Sequence, residues 1–185
     1  DEPMEIFWGT GAAMFVRSNL YHQLGGLDEE FFAHMEEIDF SWRVKNKGYK
    51  VMVNPKSVVY HIGGGTLPKN NAFKTFLNFR NNLFLLLKNL PKKRIIPTLI
   101  IRFFLDNLAA FVFLLQGNKK DFLAVYKAWT DFSKKYKEIK KKRDETTFDA
   151  YKDTYRHSII FIYNILRKKH FNGYQFLSIN HKTKK

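Results

Sequence analysis

A chain of 185 residues with 45% hydrophobic and 17% aromatic side chains can pack a core, which excludes wholesale disorder. Without cysteine it can form no disulfide, thiolate metal site or cysteine nucleophile, a usage that suits a reducing compartment. The formal net charge of +15 is uneven: residues 1–70 hold 7 Lys and Arg against 9 Asp and Glu, so the whole excess lies beyond them, where nucleic acid or anionic lipid head groups are the natural partners.

The start, Asp1-Glu2-Pro3-Met4-Glu5, is acidic, has no apolar signal core and does not begin with Met, so the chain is expected to start inside a longer protein. A Gly9-Thr10-Gly11 turn leads into an apolar run that predicts a buried strand over residues 12–16. Ser18 is a good N-cap and Gly25-Gly26 a good stop for a short helix over 19–24. A helix from Glu36 should end at Gly48, with acids in its first turn and Lys45 and Lys47 in its last, as the macrodipole favours. Residues 51–53 and 57–61 read as strands, the second running into Gly63-Gly64-Gly65. Residues 67–71 read as a loop and mark the expected boundary between parts 1–68 and 69–185.

Beyond the loop the pattern becomes helical. Residues 73–90 carry a broad apolar face of Phe and Leu, and residues 95–115 are apolar except for Thr98, Arg102, Asp106 and Asn107. That second length approaches a membrane span of ~20 residues. Arg102 and Asp106 argue against a simple span, and four positions apart they can pair on one helix face. A buried or interfacial amphipathic helix is therefore expected. Residues 121–143 form a further helix with a densely basic end, and a last amphipathic segment is expected over 158–166.

The stretch Phe31-Phe32-Ala33-His34-Met35-Glu36-Glu37-Ile38-Asp39-Phe40-Ser41-Trp42-Arg43 sets three carboxylates within four positions, directly after a bulky apolar turn. Acids beside aromatics are costly unless they reach water, a cation or a substrate, and an active-site rim offers all three. The plainer alternative is dipole complementation at a helix start, with Asp39 and Arg43 an ordinary i,i+4 pair.

Four motifs in order resemble the C-terminal half of the catalytic domain of inverting family-2 glycosyltransferases, especially the bacterial rhamnosyltransferase-like and galactofuranosyltransferase-like group that builds surface polysaccharides. They are Gly9-Thr10-Gly11-Ala12 with Arg17; Gly25-Gly26-Leu27-Asp28; Phe31-Phe32 with Glu36-Glu37-Ile38-Asp39 and Arg43; and Gly48-Tyr49-Lys50 leading to Val59-Tyr60-His61-Ile62-Gly63-Gly64-Gly65. The resemblance covers residues 6–90 well. It implies an α/β fold, the C-terminal portion of a GT-A nucleotide-diphospho-sugar transferase, followed by a mainly helical extension.

The resemblance also implies roles. The family's acid pair falls on Glu36 and Glu37, one of which removes the proton of an acceptor hydroxyl as its oxygen attacks the anomeric carbon. Asp39 stands beside them as an orienting or structural acid. The family's histidine falls on His61 as a ligand of Mg²⁺ or Mn²⁺, although no Asp-X-Asp occurs in residues 1–60 and the nucleotide-binding strands would precede residue 1. Taken alone, such a chain would hold the acceptor half of a site and be inactive. Trp8 is either a core residue or an acceptor-sugar platform beside Gly9, Thr10 and Gly11. His34 lines the acceptor site or sits in the turn, and Gly63 and Gly64 would let a diphosphate approach the backbone.

The implied partners are a nucleotide-sugar donor, a saccharide or lipid-linked acceptor and an anionic membrane surface, at the cytoplasmic side of the cell membrane. Nucleic acid is not expected, since no RNA- or DNA-binding signature accompanies the basic residues. The rival reading, from a different class, is a non-catalytic membrane-surface or partner-binding helical module.

Overall fold

The computed structural model describes residues 2–61 and 71–143, together with residues 150, 154 and 167. The chain divides into two units, Asp1–Phe148 and Asp149–Lys185, and every element below belongs to the first. The segment expected to be helical over 158–166 lies outside the described residues.

Among the described residues the expected α/β core does not form: helices dominate, and the sheet there has two strands of three residues each. β1 (Met4–Ile6) pairs antiparallel with β2 (Val51–Val53), Met4 opposite Val53 and Ile6 opposite Val51. β2 was expected and β1 was not. Beside this ladder Lys45 Nζ donates to Glu5 Oε1 at 2.6 Å.

The strand expected over 12–16 opens instead as one 3₁₀ turn, Gly11–Ala13, with Thr10 Oγ1 accepting from the Ala12 N–H at 3.4 Å. The chain then runs extended, but it is not buried throughout. Met14 and Val16 pack on Leu20, Phe40 and Val44, while Phe15 between them is 94% exposed. A strand also needs a hydrogen-bonded neighbour, and none flanks these residues among those described. Residues 57–61 fail for the same reason, with Val58, Val59 and Tyr60 all exposed.

α1 (Ser18–Gln23) starts one residue earlier than expected, from Arg17, whose side chain makes no capping bond. It ends at Gly25 and Gly26, whose φ values of 75° and 67° favour glycine. α2 (Glu36–Asn46) follows a 3₁₀ turn at Glu29–Phe31 and ends before Gly48, as expected. Phe40 and Val44 on one face of α2 meet Leu20 of α1.

Three long helices complete the unit. Asn71 caps α3 (Ala72–Asn89), its Oδ1 accepting from the Phe73 N–H at 2.9 Å. α4 (Lys92–Leu115) and α5 (Lys119–Lys141) follow. α3 lies between α5 and the Glu29–Phe31 turn: the Phe84 ring is 6.2 Å from Phe132 on one side and 6.2 Å from Phe31 on the other. Leu77, Leu83 and Leu87 of α3 and Val125 and Ile139 of α5 are buried. Arg102 and Asp106 pair as expected at 2.6 Å, but of the two settings expected for α4, burial does not hold. Within α4, Ile95, Asp106 and Ala110 are buried and most other side chains are not.

Gly26 separates two effects that its neighbour lets us distinguish. A Cβ on Gly26 would lie 2.9 Å from the Tyr21 ring, whereas one on Gly25 meets nothing within 4 Å. We expect Gly25→Ala to cost about 1 kcal/mol for its backbone alone, and Gly26→Ala about 2–3 kcal/mol once the ring must move. Urea unfolding of the two variants checks this, and equal costs would refute the steric account.

Candidate active site

The turn between Phe31 and α2 is costly in isolation. Phe32, His34 and Met35 all have positive φ, at 61°, 70° and 74°, a region side chains with a Cβ rarely adopt. Such a turn persists when its surroundings over-determine it. α3 does this with two adjacent residues. Asn81 Nδ2 donates to the carbonyls of Phe31 at 2.8 Å, Ala33 at 2.8 Å and His34 at 2.7 Å. Arg80 Nη2 donates to the carbonyls of Glu30 at 2.9 Å and Phe31 at 3.2 Å. Five backbone contacts from one turn of α3 hold the approach to α2.

This turn aims His34, Glu36 and Glu37. Each has a buried polar atom with no hydrogen-bond partner among the described residues: His34 Nε2, Glu36 Oε2 and Glu37 Oε2. Buried polar atoms are nearly always paired, so three together at one helix start are a marked exception. Gly11 packs here too, since a Cβ added to it would lie 3.6 Å from Glu37 Cβ. Burial pushes the Glu37 carboxyl above its ordinary value; backbone N–H groups of the first turn oppose this, and the neighbouring Glu36 charge adds to it. A carboxyl placed so is suited to taking a proton from a substrate hydroxyl.

Asp39, three residues along α2 from Glu36, has the opposite environment. It is fully buried, and its oxygens accept from Arg43 Nε at 2.9 Å, Lys88 Nζ at 2.8 Å and Asn89 Nδ2 at 2.8 Å. Arg43 in turn donates to the carbonyls of Leu24 at 2.6 Å and Gly26 at 2.7 Å, closing the end of α1. Of the orienting and structural roles, the geometry supports the structural one. Lys88 also reaches Asp28 Oδ2 at 2.6 Å, and Lys142 reaches Asp28 Oδ1 at 2.8 Å. Burial raises the Asp28 carboxyl, but these two ammonium groups outweigh it and hold its pKa at about 2.

Other residues singled out by sequence are placed as follows. Gly9 and Thr10 line a groove of ≈ 610 Å³ that runs past Met14, Phe40, Val44 and Tyr49. Trp8 is 44% exposed, more a surface ring than a core one. Gly63 and Gly64 lie outside the described residues. His61 is exposed, and no group of three His, Asp or Glu placed to hold a metal ion forms among the described residues, which by themselves do not make up a Mg²⁺ or Mn²⁺ site. Arg80, Asn81, Lys88 and Asn89 were not anticipated, because α3 was read through its apolar face. A signal existed: Asn81 and Lys88 interrupt that face seven positions apart, two turns along one side of the helix.

Comparison with known proteins finds a partial likeness. No family model matches the chain, and no solved structure matches it. The chain is 34% identical over 62 residues to an N-acetylglucosaminyl-diphospho-decaprenol L-rhamnosyltransferase of Mycobacterium tuberculosis, in both strain CDC 1551 and strain H37Rv. The match takes in 32% of this chain, which spans about a fifth (20%) of the length of these relatives. The likeness is to a glycosyltransferase, and it is partial.

Two outcomes test the geometry. Removing the Asn81 amide takes the side-chain donor from the Ala33 and His34 carbonyls and leaves that of Phe31 to Arg80 and the Ala33 N–H, so Asn81→Ala should lose about 2–3 kcal/mol in denaturant unfolding; a loss below about 0.5 kcal/mol would mean the turn holds itself. For Asp28 the folded pKa of about 2 lies below the ordinary 3.8, so its stabilisation is present above pH 4 and fades as pH falls toward 2. Wild type should exceed Asp28→Asn by on the order of 2 kcal/mol at pH 6, the two converging near pH 2. A gap independent of pH would refute the ammonium pairing.

Proposed function

We propose that this chain is part of a glycosyltransferase that moves a hexosyl or deoxyhexosyl group from a nucleotide sugar to a hydroxyl of a saccharide or lipid-linked acceptor, with inversion. Glu37 is its general base. The observation that carries this reading is the Glu37 carboxyl itself, half-buried with one oxygen lacking a donor among the described residues, raised in pKa and seated against Gly11 on a turn gripped by Asn81. The partial likeness to a rhamnosyltransferase supports the reaction class. That relative's name joins a rhamnosyl donor to a diphospho-decaprenol acceptor, which favours a deoxyhexose and a lipid-linked acceptor here.

The step is simple in its balance. The acceptor hydroxyl gives its proton to the Glu37 carboxylate as the oxygen's electron pair forms the bond to the anomeric carbon. The anomeric bond to the diphosphate breaks on the opposite face, and the diphosphate leaves with that electron pair. Burial helps by raising the basicity of the carboxylate, and Glu36 helps by disfavouring a second negative charge beside it. His34, with its free Nε2, stands where it can hydrogen-bond the acceptor.

Turnover of the full-length protein with a panel of nucleotide sugars and Mg²⁺ or Mn²⁺ tests this. We expect Glu37→Gln to lower kcat by about 10²- to 10⁴-fold while the protein stays folded, and Glu36→Gln to cost less. The acid limb of kcat/KM should lie above the ordinary glutamate value of 4.5, the direction of the Glu37 shift. Unchanged turnover in Glu37→Gln would sink the assignment, and a greater loss in Glu36→Gln would transfer it to that residue.

A further inference from the structure

α4 turns its polar side chains inward. Arg102 Nη2 meets Asp106 Oδ1 at 2.6 Å, Trp129 Nε1 of α5 donates to Asp106 Oδ2 at 3.0 Å, and Tyr126 Oη of α5 donates to Asn107 Oδ1 at 3.0 Å. The charges that argue against a membrane setting in the sequence are thus neutralised against α5. The opposite face is a stripe of Ile96, Ile100, Phe104, Leu108, Phe111 and Leu115, each between 53% and 72% exposed. With a rise of ~1.5 Å per residue, the stripe runs for nearly 30 Å without a hydrogen-bonding side chain. Exposed apolar patches of this extent mark a contact surface. Exposed basic residues stand at both ends, Lys92, Lys93 and Arg94 before the stripe and Lys119 and Lys120 after it.

We propose that the outer face of α4 embeds in one leaflet of an anionic lipid membrane, the helix lying in the plane of the interface with its basic ends at the head groups. Charge selects this occupant. A second copy packed along α4 in either direction would set one basic end against another, which opposes association. Protein interfaces carry about one hydrogen bond per 100–200 Å², and this stripe offers no side-chain donor or acceptor for one. Acyl chains ask for none, and anionic head groups complement both ends. Length and composition would also allow α4 to cross a bilayer. Its partner forbids that: the contacts of Trp129 and Tyr126 set the middle of α5 beside the middle of α4, so a crossing would carry Lys127, Asp131 and Lys134 toward the bilayer centre. The inference rests on the α4 surface alone and does not depend on Glu37.

The test is sedimentation of the full chain with vesicles of phosphatidylcholine alone or with phosphatidylglycerol added. We expect binding to the anionic vesicles, weakened by high salt but not abolished, because the apolar contribution is unscreened. The paired variant Phe104→Asp with Leu108→Asp, both at exposed positions, should bind roughly tenfold or more weakly with an unchanged circular dichroism spectrum. Lys119→Glu with Lys120→Glu should lose the preference for anionic lipid. Because the chain has no cysteine, an environment-sensitive label on Leu108→Cys reports depth directly. Quenching by spin labels high on the acyl chain should exceed quenching by labels near its end. No binding by folded protein, binding indifferent to the paired variant, or strongest quenching from the bilayer centre would each overturn the proposal. So would a dimer in solution that the paired variant dissolves while vesicles capture neither form.

Discussion

The first unit depends on one buried carboxylate. Asp39 has no contact with solvent, so its charge must be answered inside the protein, and three donors from two helices answer it. Arg43 comes from the same helix and passes the constraint to the end of α1 through two carbonyls. Lys88 and Asn89 come from α3, and Lys88 carries it on to Asp28. One acid therefore sets the relative position of α1, α2, α3 and the loop between Gly26 and Glu29. Apolar packing alone would allow these elements to slide, whereas a buried charge with directed donors tolerates few arrangements.

Seven positions before Lys88, Asn81 does comparable work on neutral backbone carbonyls. Its amide and the Arg80 guanidinium satisfy carbonyls that the left-handed turn at Phe32 to Met35 turns away from any helix or strand. The donors sit on a regular helix, so the costly turn is positioned by a rigid element. This is how a loop residue such as His34 and a first-turn residue such as Glu37 are held in place while each keeps a polar atom without a partner among the described residues.

The helices were legible because an amphipathic period shows in each alone. The bounds of α2 follow from its acids and Gly48, and the Arg102–Asp106 pair follows from spacing. The sheet was not legible, because a strand is a relation between two segments. Residues 12–16 were read as a buried strand, whereas Met14 and Val16 face the core and Phe15 faces out, and nothing local says whether a neighbour will supply the ladder. The pairing of residues 4–6 with 51–53 was missed on the same ground, since three residues of Met-Glu-Ile carry almost no strand signal. Arg80, Asn81, Lys88 and Asn89 escaped notice because an apolar helix face invites a reading of its hydrophobic residues only.

Spacing also left the acids of α2 unsorted, and environment sorts them. Glu37 and Asp39 are two residues apart on one helix, Glu37 half-buried and Asp39 fully buried. The sequence reading left the base between Glu37 and Glu36, with Asp39 an orienting or structural acid. Asp39 is fully buried and accepts from three donors, so a substrate hydroxyl would have to displace a guanidinium, an ammonium or an amide to reach it. Glu37 has an oxygen with no donor among the described residues, and burial and the neighbouring Glu36 charge raise its affinity for a proton. A folded chain that satisfies one buried carboxylate threefold and leaves another open bears the cost of the second, and a bound hydroxyl would relieve that cost. Two like side chains in unlike surroundings take different roles, and the open one is where a proton can be received.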